Sequence, residues 1–475
     1  MGWRVRTGTG ASTSTVPRRP RPVLRGAVAA MVVLALGGSA GTAVTLTAPV
    51  LVGTSSPAPL PAVVRPVPVL GPLPVAAPAP TADGVNAQLA PLITQRGLGT
   101  FTGVVADPAT GTVLWERGSS TALVPGSTTK LLTAAATLLT LNPTDRLVTR
   151  VVAGQEPGTV VLVGGGDPTL TALAPGTQGV YPDPSRLTTL ADGVRSAGVA
   201  VTQVLVDTTR YRGPTLATGW EPVDVRRGFV APIQPLMVDG GRVDPTQQDG
   251  QRDTEPALAA GRALAGLLGL DSATAAEGTA TAGATVLGTV TSAPISDLVE
   301  HVMRSSDNVL AETLAREVSI ARGGEPTFVG AADATVAALA EAGFDTTGAR
   351  MADGSGLSTT DRVPARLLGA LLTAAAGPAG GQGGQLRPIL TGLPVAGGEG
   401  TLDDRFAADS ETAAGRGVVR AKTGTLTAVS SLAGVTTDAD GHLLTFALMS
   451  NGANPAVVRP RLDAIATQLA RCGCR

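Results

Sequence analysis

A serine and a lysine three positions apart open an alanine-rich segment in the first third of the chain. The sequence reads Gly-Ser127-Thr-Thr-Lys130 and continues into an apolar run over residues 131–141. On a helix, side chains at this spacing lie on one face, so the amine of Lys130 can reach the hydroxyl of Ser127. A serine becomes a good nucleophile beside a proton acceptor, and a lysine can be that acceptor when burial or a second cation keeps it neutral. Taken alone, the pair is more often a capping serine and a solvated lysine.

The use of lysine in the rest of the chain favours the catalytic interpretation. Lysine and arginine together number 36, but lysine occurs only at positions 130 and 422. Arginine does not lose its proton in proteins, whereas lysine can, and lysine also provides a compact point charge. The second lysine begins Lys422-Thr-Gly-Thr, and Ser306-Asp-Asn308 lies between the two lysines. Each motif alone is weak, but the order Ser-x-x-Lys, Ser-x-Asn, Lys-Thr-Gly is a strong signal.

Charge and the remaining reactive residues exclude several classes of protein. The chain has 475 residues, enough for two domains, and a net charge of −1 with acids and bases scattered, so we expect no nucleic-acid partner. His301 and His442 have no metal-ligand spacing, which disfavours a metal site and a Ser-His-Asp hydrolase. Cys472 and Cys474 are too few for a zinc site, and a bridge between residues so close would be strained. We therefore assign them no role.

The N-terminal part predicts a membrane segment followed by a spacer. Residues 1–25 contain six arginines and no acid, and the uncharged segment 26–52 is long enough to cross a membrane as a helix. The arginines place the N-terminus in the cytoplasm, so we expect a signal anchor with the catalytic part outside the cytoplasmic membrane. A cleaved signal peptide, which would give a secreted protein, is the alternative. Residues 53–82, rich in proline and alanine, predict an extended linker.

Strand patterns occur at both ends of the folded part and predict one antiparallel sheet. Runs of alternating or β-branched residues cover 102–106, 112–117, 418–426, 430–436 and 443–450. The first two runs and the last two are each separated by a turn signal, so each pair predicts a hairpin. Lys422 lies on the remaining strand, where Gly424 would let a substrate backbone approach closely.

The middle of the chain predicts an inserted domain. Ser306-Asp-Asn308 falls in a short break between two helical patterns, and such a break can point side chains into a cleft. Residues 149–292 contain strands, a helix and a glycine-rich turn but no catalytic constellation. We interpret them as a smaller domain inserted into a catalytic domain formed by 83–148 and 293–475. A glycine-rich run at 377–384 predicts a flexible loop.

In their order, Ser127-x-x-Lys130, Ser306-x-Asn308 and Lys422-Thr-Gly resemble the motifs of penicillin-binding proteins and serine β-lactamases. The long separation of the first two motifs, together with the run Leu-Val-Gly-Gly-Gly-Asp-Pro-Thr-Leu ending at position 170, is similar to the class C low-molecular-mass penicillin-binding proteins. These are the D-alanyl-D-alanine carboxypeptidases of the peptidase S13 family, and the resemblance covers most of residues 85–455. It implies an α/β (α+β) transpeptidase-like fold with an antiparallel sheet flanked by helices. The arginine-rich, alanine-rich composition hints at an actinobacterial source.

For the nucleophile, the resemblance implies an acyl-enzyme mechanism on peptidoglycan stem peptides. Ser127 would attack the carbonyl between the last two D-alanines while Lys130 takes its proton. Ser306 would relay a proton to the departing D-alanine, and Asn308 would orient Lys130 and the substrate amide. Penicillin and other β-lactams would acylate the same serine. No metal and no cofactor are implied.

For the substrate, the resemblance implies that the strand carrying Lys422 holds the terminal carboxylate. Lys422 would bind it together with the hydroxyls of Thr423 and Thr425, and the backbone N–H groups of Ser127 and Thr425 would form the oxyanion hole. Two amines near one pocket lower each other's pKa, so Lys130 can be neutral while Lys422 stays a cation.

The sequence alone leaves three interpretations of the function. The first is a D-Ala-D-Ala carboxypeptidase or endopeptidase. The second is a β-lactamase or esterase with the same three motifs, which the anchor, the spacer and the large insertion disfavour. The third is a catalytically inactive wall-binding homologue, which the retention of both lysines disfavours.

Overall fold

The computed structural model describes residues 77–378 and 380–475. The helices are α1 (Ala82–Ile93), α2 (Lys130–Thr140), α3 (Leu187–Ser196), α4 (Pro222–Arg226), α5 (Pro256–Leu267), α6 (Ile295–Ser305), α7 (Asn308–Ala321), α8 (Phe328–Glu341), α9 (Ala365–Ala376), α10 (Gln382–Thr391) and α11 (Pro455–Arg471). The strands are β1 (Thr100–Ala106), β2 (Val113–Arg117), β3 (Ala122–Leu123), β4 (Arg146–Ala153), β5 (Thr159–Val163), β6 (Gln203–Asp207), β7 (Ala275–Glu277), β8 (Val286–Pro294), β9 (Val363–Pro364), β10 (Arg420–Leu426), β11 (Val429–Thr437) and β12 (Leu443–Asn451).

The main sheet joins strands from both ends of the described chain. It is antiparallel, with the order β10-β11-β12-β1-β2. The two predicted hairpins are β1 with β2 and β11 with β12. β1 pairs with β12 along the whole length of β1, from Thr100 opposite Asn451 to Ala106 opposite Thr445. The prediction of one antiparallel sheet built from both ends is confirmed.

Both faces of this sheet are buried, because apolar side chains occupy both sets of alternating positions. Leu432 and Phe446 belong to a core shared with α1 and α11. Ala433 and Ala447, the next residues along each strand, belong to a second core shared with α2, α6, α7, α9 and α10. α2 is buried from its first residue, Lys130, through Leu138. The start of α2 therefore lies in the interior, close to edge strand β10.

A second sheet forms within the region predicted as an insertion. Its order is β7-β6-β5-β4-β8, with β5, β6 and β7 parallel and β4 antiparallel to both its neighbours. α3 and α5 contribute to a hydrophobic core of its own. The glycine-rich turn follows β5, and a side chain at Gly165 would collide with the carbonyl of Val148. Packing against the backbone of β4 therefore accounts for this glycine.

Two local expectations differ from the structure. The predicted flexible loop 377–384 ends earlier, because α10 already begins at Gln382. Cys472 and Cys474, to which we assigned no role, are buried and paired in a disulfide. An extended Cys472 separates their Cα atoms by 5.0 Å, which is within the usual range for a bridge. The bridge is therefore possible despite the close spacing.

The membrane prediction falls on residues that the structure does not describe. The segment 26–52 and most of the linker 53–82 lie outside the described residues. Within 77–378 and 380–475, none of the helices combines the length and the apolar character needed to cross a bilayer. α1 begins at Ala82, with Thr81 as its cap, at the end of the predicted linker.

Candidate active site

Ser127 lies in a short 3-10 turn, Gly126–Thr129, that leads directly into α2. Gly126 has a φ of +56°, which glycine adopts without strain. The hydroxyls of Thr128 and Ser431 both donate to the carbonyl of Pro125, at 2.8 and 2.5 Å, and so tie the turn to β11. Ser127 is partly exposed, whereas the residues after it are buried. The turn thus presents the serine side chain at the start of a fixed helix.

The amine of Lys130 is enclosed by three acceptors. Its side chain is fully buried, and Nζ lies 3.1 Å from Ser127 Oγ, as the spacing predicts. Nζ also lies 2.6 Å from Asn308 Oδ1 and 2.7 Å from the carbonyl oxygen of Ser355. A buried amine in this position can exchange a proton with the serine hydroxyl.

The Ser-x-Asn motif occupies the predicted break between α6 and α7. Ser306 has φ 61° and ψ 31°, a left-handed conformation that is uncommon outside glycine. Asp307 caps α7 by accepting from the N–H of Leu310 at 2.9 Å. Asn308 accepts from Lys130 and donates through Nδ2 to the carbonyl of Phe229 at 2.9 Å. The cap and the sharp turn together aim Ser306 and Asn308 at the two lysines.

Lys422 forms a second pair of amine and hydroxyl. It is fully buried on β10, and its Nζ donates to Ser306 Oγ at 2.8 Å and to the carbonyl of Thr423 at 2.9 Å. The site therefore contains two lysine–serine pairs, Lys130 with Ser127 and Lys422 with Ser306. The structure brings together all five residues predicted to be catalytic.

Strand β10 runs beside the turn that carries Ser127. A Cβ atom on Gly424 would lie 2.5 Å from the carbonyl oxygen of Pro125 and 3.1 Å from the nitrogen of Ser127. A Cβ atom on Gly126 would lie 3.1 Å from the nitrogen of Thr425. The predicted reason for a glycine at position 424 was the close approach of a substrate backbone. In the structure, the turn that carries Ser127 occupies this space instead. The same packing places the backbone N–H groups of Ser127 and Thr425 where the turn meets β10.

The two threonines of the strand differ in their surroundings. Thr423 Oγ1 lies 2.8 Å from Thr401 Oγ1, and the two hydroxyls share a hydrogen bond. Thr425 is exposed, opposite Ser430 in the register with β11. Hydroxyl groups therefore line the open side of the strand next to the buried Lys422.

Burial lowers the pKa of both lysines. For Lys130, loss of solvent lowers the pKa to about 8, although Asp353, Glu312 and other nearby carboxylates oppose this effect. For Lys422, burial lowers the pKa well below its ordinary value of 10.5, and the charge of Lys130 lowers it further. Protonation of one amine therefore disfavours protonation of the other within this enclosed site.

Comparison with known proteins identifies the family. The sequence profile of the D-Ala-D-Ala carboxypeptidase 3 (S13) family matches residues 85–277 and 250–472. The chain belongs to this family. Among its relatives, the carboxypeptidase Rv3627c of Mycobacterium tuberculosis is 48% identical over 396 residues, which cover 83% of this chain and 85% of the relative. The carboxypeptidase DacB of Mycolicibacterium smegmatis is 43% identical over 425 residues, covering 88% and 90%.

A solved structure supports the fold assignment. Penicillin binding protein 4 (dacB) from Haemophilus influenzae superposes with a TM-score of 0.65 at 20% sequence identity, covering 81% of this chain and 98% of that chain. At this identity the likeness concerns the fold, a mixed α/β penicillin-binding protein fold with antiparallel strand pairing. The S13 resemblance inferred from the motifs is confirmed.

Sequence reasoning missed a loop that contacts Lys130. The segment Asp353-Gly-Ser-Gly belongs to none of the three motifs, yet the carbonyl of its Ser355 accepts from the Lys130 amine. The carboxylate of Glu312 on α7 is fully buried and accepts hydrogen bonds from the backbone N–H groups of Gly354 and Ser355. The available signal was a single glutamate within an otherwise apolar part of α7, four residues after Asn308.

Sequence reasoning also missed contacts from the region 146–294. The carbonyl of Phe229 accepts from Asn308, and Arg242 Nη2 lies 3.1 Å from Asp307 Oδ2. Tyr181 donates to the same carboxylate at 2.9 Å. No catalytic constellation marks these residues in the sequence, because each acts through a contact with the Ser-x-Asn break.

The two histidines lie in other settings. His301 packs against Tyr181, with ring centroids 5.2 Å apart, and burial lowers its pKa. His442 Nε2 lies 3.0 Å from Asp107 Oδ1, next to the turns of the main sheet. Within the described residues, no group of three or more His, Cys, Asp or Glu side chains has a metal-binding arrangement.

Proposed function

We propose that this S13 protein is a serine-type D-Ala-D-Ala carboxypeptidase that acts on peptidoglycan stem peptides through an acyl-enzyme on Ser127. The observation that supports it best is the double pairing of Lys130 with Ser127 at 3.1 Å and Lys422 with Ser306 at 2.8 Å. One pair supplies a nucleophile and its base. The other supplies a charge and a proton relay on the opposite side of the same site.

Acylation begins with attack of Ser127 Oγ on the carbonyl carbon between the last two D-alanines. The serine proton passes to the neutral amine of Lys130, which Asn308 and Ser355 hold in place. The negative charge that develops on the carbonyl oxygen lies between the backbone N–H groups of Ser127 and Thr425. The C–N bond then breaks, and Ser306 passes a proton to the departing amine of D-alanine.

Deacylation restores the serine. A water molecule attacks the ester carbon and gives a proton to the neutral amine of Lys130. The C–O bond to Ser127 breaks, and Lys130 returns the proton to Ser127 Oγ. The products are a peptide shortened by one residue and free D-alanine. Throughout acylation, Lys422 and the hydroxyls of Thr423 and Thr425 bind the terminal carboxylate of the substrate, since a buried amine without a carboxylate partner gains most from an ionic ligand.

Labelling with a fluorescent penicillin tests this function. We expect a covalent label that is released slowly, no label on Ser127→Ala, and normal labelling of the control Ser120→Ala, which removes an exposed serine nearby. Fast release would instead indicate a β-lactamase. Absence of label on the parent protein would indicate a wall-binding homologue.

Incubation with two muropeptides then separates the peptidase activities. A pentapeptide ending in D-Ala-D-Ala reports carboxypeptidase activity as released D-alanine, and a cross-linked dimer reports endopeptidase activity as monomers, both by mass spectrometry. We expect release of D-alanine. Cleavage of the dimer alone would replace the carboxypeptidase assignment with an endopeptidase.

For the location, we propose a single-pass membrane protein with its catalytic part outside the cell. This proposal rests on the arginine-rich residues 1–25 and the uncharged segment 26–52. Protease added to intact protoplasts should degrade the part from residue 83 onward, and a mature protein that begins beyond residue 52 would show cleavage and secretion. Full protection from protease would contradict this orientation.

For the organisation, we propose that residues 149–292 fold as a unit inserted into a split catalytic domain, 83–148 with 293–475. The support is that this region contributes a sheet with its own hydrophobic core. Limited proteolysis should cut within the insertion while the flanking pieces stay associated. Separation of those pieces under native conditions would contradict the proposal.

A further inference from the structure

The third acceptor of the Lys130 amine is a backbone carbonyl whose position depends on other residues. Ser127 and Asn308 contact Lys130 through their own side chains, but Ser355 does so through its carbonyl oxygen, at 2.7 Å. A backbone carbonyl points where its loop directs it. The groups that fix this loop therefore also fix one of the three contacts of the proposed base, Lys130.

Buried carboxylates fix the loop that contains Ser355. Glu312 Oε1 accepts from the N–H groups of Gly354 at 3.0 Å and of Ser355 at 2.8 Å. Asp353 accepts from the N–H groups of Gly356 and Ser358, and Asp361 accepts from Ala352, at distances of 2.6 to 2.7 Å. Of these carboxylates, only Glu312 bonds the N–H of Ser355 itself. Its contact and the carbonyl aimed at Lys130 belong to the same residue.

Glu312 stands one helical turn after Asn308 on α7, so both residues face the same side of the helix. Asn308 reaches Lys130 directly and Glu312 reaches it through Ser355. Both Glu312 and Lys130 are fully buried, so bulk solvent screens the interaction between their charged forms only weakly. One helix therefore supplies a direct contact and an indirect contact to the same amine.

We propose that Glu312 is a positioning residue for Lys130, which aims the Ser355 carbonyl at the amine and stabilises its protonated form by charge. This proposal rests on the proposed function, because it concerns the group that takes the proton of Ser127. Glu312 itself touches neither Ser127 nor the space where a substrate would lie. It acts on the reaction through Lys130.

Several charged groups besides Glu312 face Lys130, and they set the background of the test. Burial lowers the pKa of Lys130, whereas Asp353 on the loop, Asp307 at the cap of α7 and Asp361 after the loop raise it. Lys422 on β10 is the neighbouring cation, and Arg316 on α7 lies 3.7 Å from Glu312. Burial and the charge of Asp353 raise the pKa of Glu312 itself to about 7, and burial, together with Asp353 and Glu312, raises the pKa of Asp361. At pH values above 7, where Glu312 is charged, removal of its charge should lower the pKa of Lys130.

The substitution Glu312→Gln separates positioning from a purely structural role. The rate of acylation by penicillin rises with pH as Lys130 loses its proton, and in Glu312→Gln this rising limb should move to lower pH by about half a unit to one unit. The maximal rate should fall about tenfold, because the NH2 group of glutamine replaces Oε2 and would face the N–H of Gly354, which both carboxylate oxygens accept in the parent. The measurement is the pH profile of the second-order acylation rate constant.

Glu317→Gln provides a matched control. Glu317 lies on the same helix and is also buried, but it pairs with Arg210 and Tyr211 instead of the loop 353–358. Its substitution should leave the rising limb where it is in the parent. Glu312→Asp keeps the charge and shortens the reach, so it should lower the rate but keep the limb at the parent pH.

These outcomes distinguish failure of this inference from failure of the proposed function. A parent protein that penicillin does not label would refute the function. If penicillin labels the parent but the rising limb of Glu312→Gln stays at the parent pH, Glu312 has only a structural role, whatever the maximal rate of the variant. If Glu312→Gln does not fold, the aspartate variant decides, because a shifted limb there would contradict the role of the charge.

Discussion

The side chains of Arg242 and Asp307 form an ion pair that is closed to solvent. Nη2 and Oδ2 are 3.1 Å apart, and both side chains have no exposed area. Burial alone would raise the pKa of Asp307, but Arg242 and the neighbouring Arg252 hold it below its ordinary value. Since Asp307 stands between Ser306 and Asn308, a residue from the region of the second sheet stabilises the Ser-x-Asn break.

Loss of Arg242 should therefore weaken both the fold and the site. Arg242→Met leaves Asp307 charged and buried without its main partner, which we expect to cost about 3–5 kcal/mol of the free energy of unfolding. Denaturant unfolding and penicillin acylation would be measured together. Arg195→Met removes an exposed ion pair with Asp192 and should change stability by less than about 1 kcal/mol. Equal losses in both variants would contradict this assignment.

The conformation of Ser306 allows its backbone and hydroxyl to be tested separately. Ser306→Gly removes the hydroxyl and suits a φ of 61°, whereas Ser306→Ala removes the hydroxyl but keeps a Cβ in the left-handed region. We expect the glycine variant to be more stable than the alanine variant by about 1 kcal/mol. Both should lose turnover by about 100-fold, because Lys422 loses its hydroxyl partner. Thermal unfolding and release of D-alanine are the measurements; retained turnover in either variant would exclude Ser306 as the relay.

The two lysines should differ in their tolerance of arginine. Lys130→Arg keeps a charge but cannot lose a proton, so acylation of Ser127 should fall by about 1,000-fold or more. Lys422→Arg should keep measurable activity, reduced because the wider guanidinium crowds a fully buried position. Lys422→Ala should be worse, raising KM for a D-alanyl-D-alanine peptide by roughly 10- to 100-fold. A Lys130→Arg protein that acylates at the parent rate would remove Lys130 as the base.

Binding of a carboxylate should be coupled to proton uptake at Lys422. In the free protein, burial and the charge of Lys130 lower the pKa of Lys422 well below its ordinary value. A bound carboxylate favours the charged form and raises this pKa, and protons are taken up at any pH between the two values, by up to about one per site. Calorimetry of Ser127→Ala with a D-alanyl-D-alanine peptide, in buffers of different ionisation enthalpy, measures this number.

Two controls accompany the calorimetry. The same peptide with a C-terminal amide lacks the charge, and the double variant Ser127→Ala/Lys422→Ala lacks the amine. Neither combination should show uptake. Equal uptake with the amide would mean that another group takes the proton and that Lys422 is already charged before binding.

The sequence predicted the elements whose signals are local. Hairpins follow from turn residues between alternating runs, and β1 with β2 and β11 with β12 form as expected. The five residues predicted as catalytic lie in one site. They could be predicted because the three motifs occur in a characteristic order and because lysine is rare in this arginine-rich chain. The left-handed turn at Ser306 was placed correctly as a break between helices.

The contacts that the sequence did not reveal are long-range and involve backbone atoms. Nothing in the identity of Glu312 indicates that it binds the amides of a loop some forty residues later. Arg242 and Phe229 have no motif, and their importance depends on the partner that the fold brings to them. The sequence predicted that a substrate approaches Gly424, because it does not show that the turn containing Ser127 packs against this glycine.

The pairing of β1 with β12 has a consequence for how the chain assembles during synthesis. The hydroxyl of Ser450 donates to the carbonyl of Leu98, 352 positions earlier. The hairpin of β1 and β2 is made early but has no neighbour until β12 follows, and contacts of such large sequence separation slow folding. In a nascent chain that ends before residue 443, the edge of β1 that later pairs with β12 is therefore open, and we expect this chain to depend on chaperones until β12 is added.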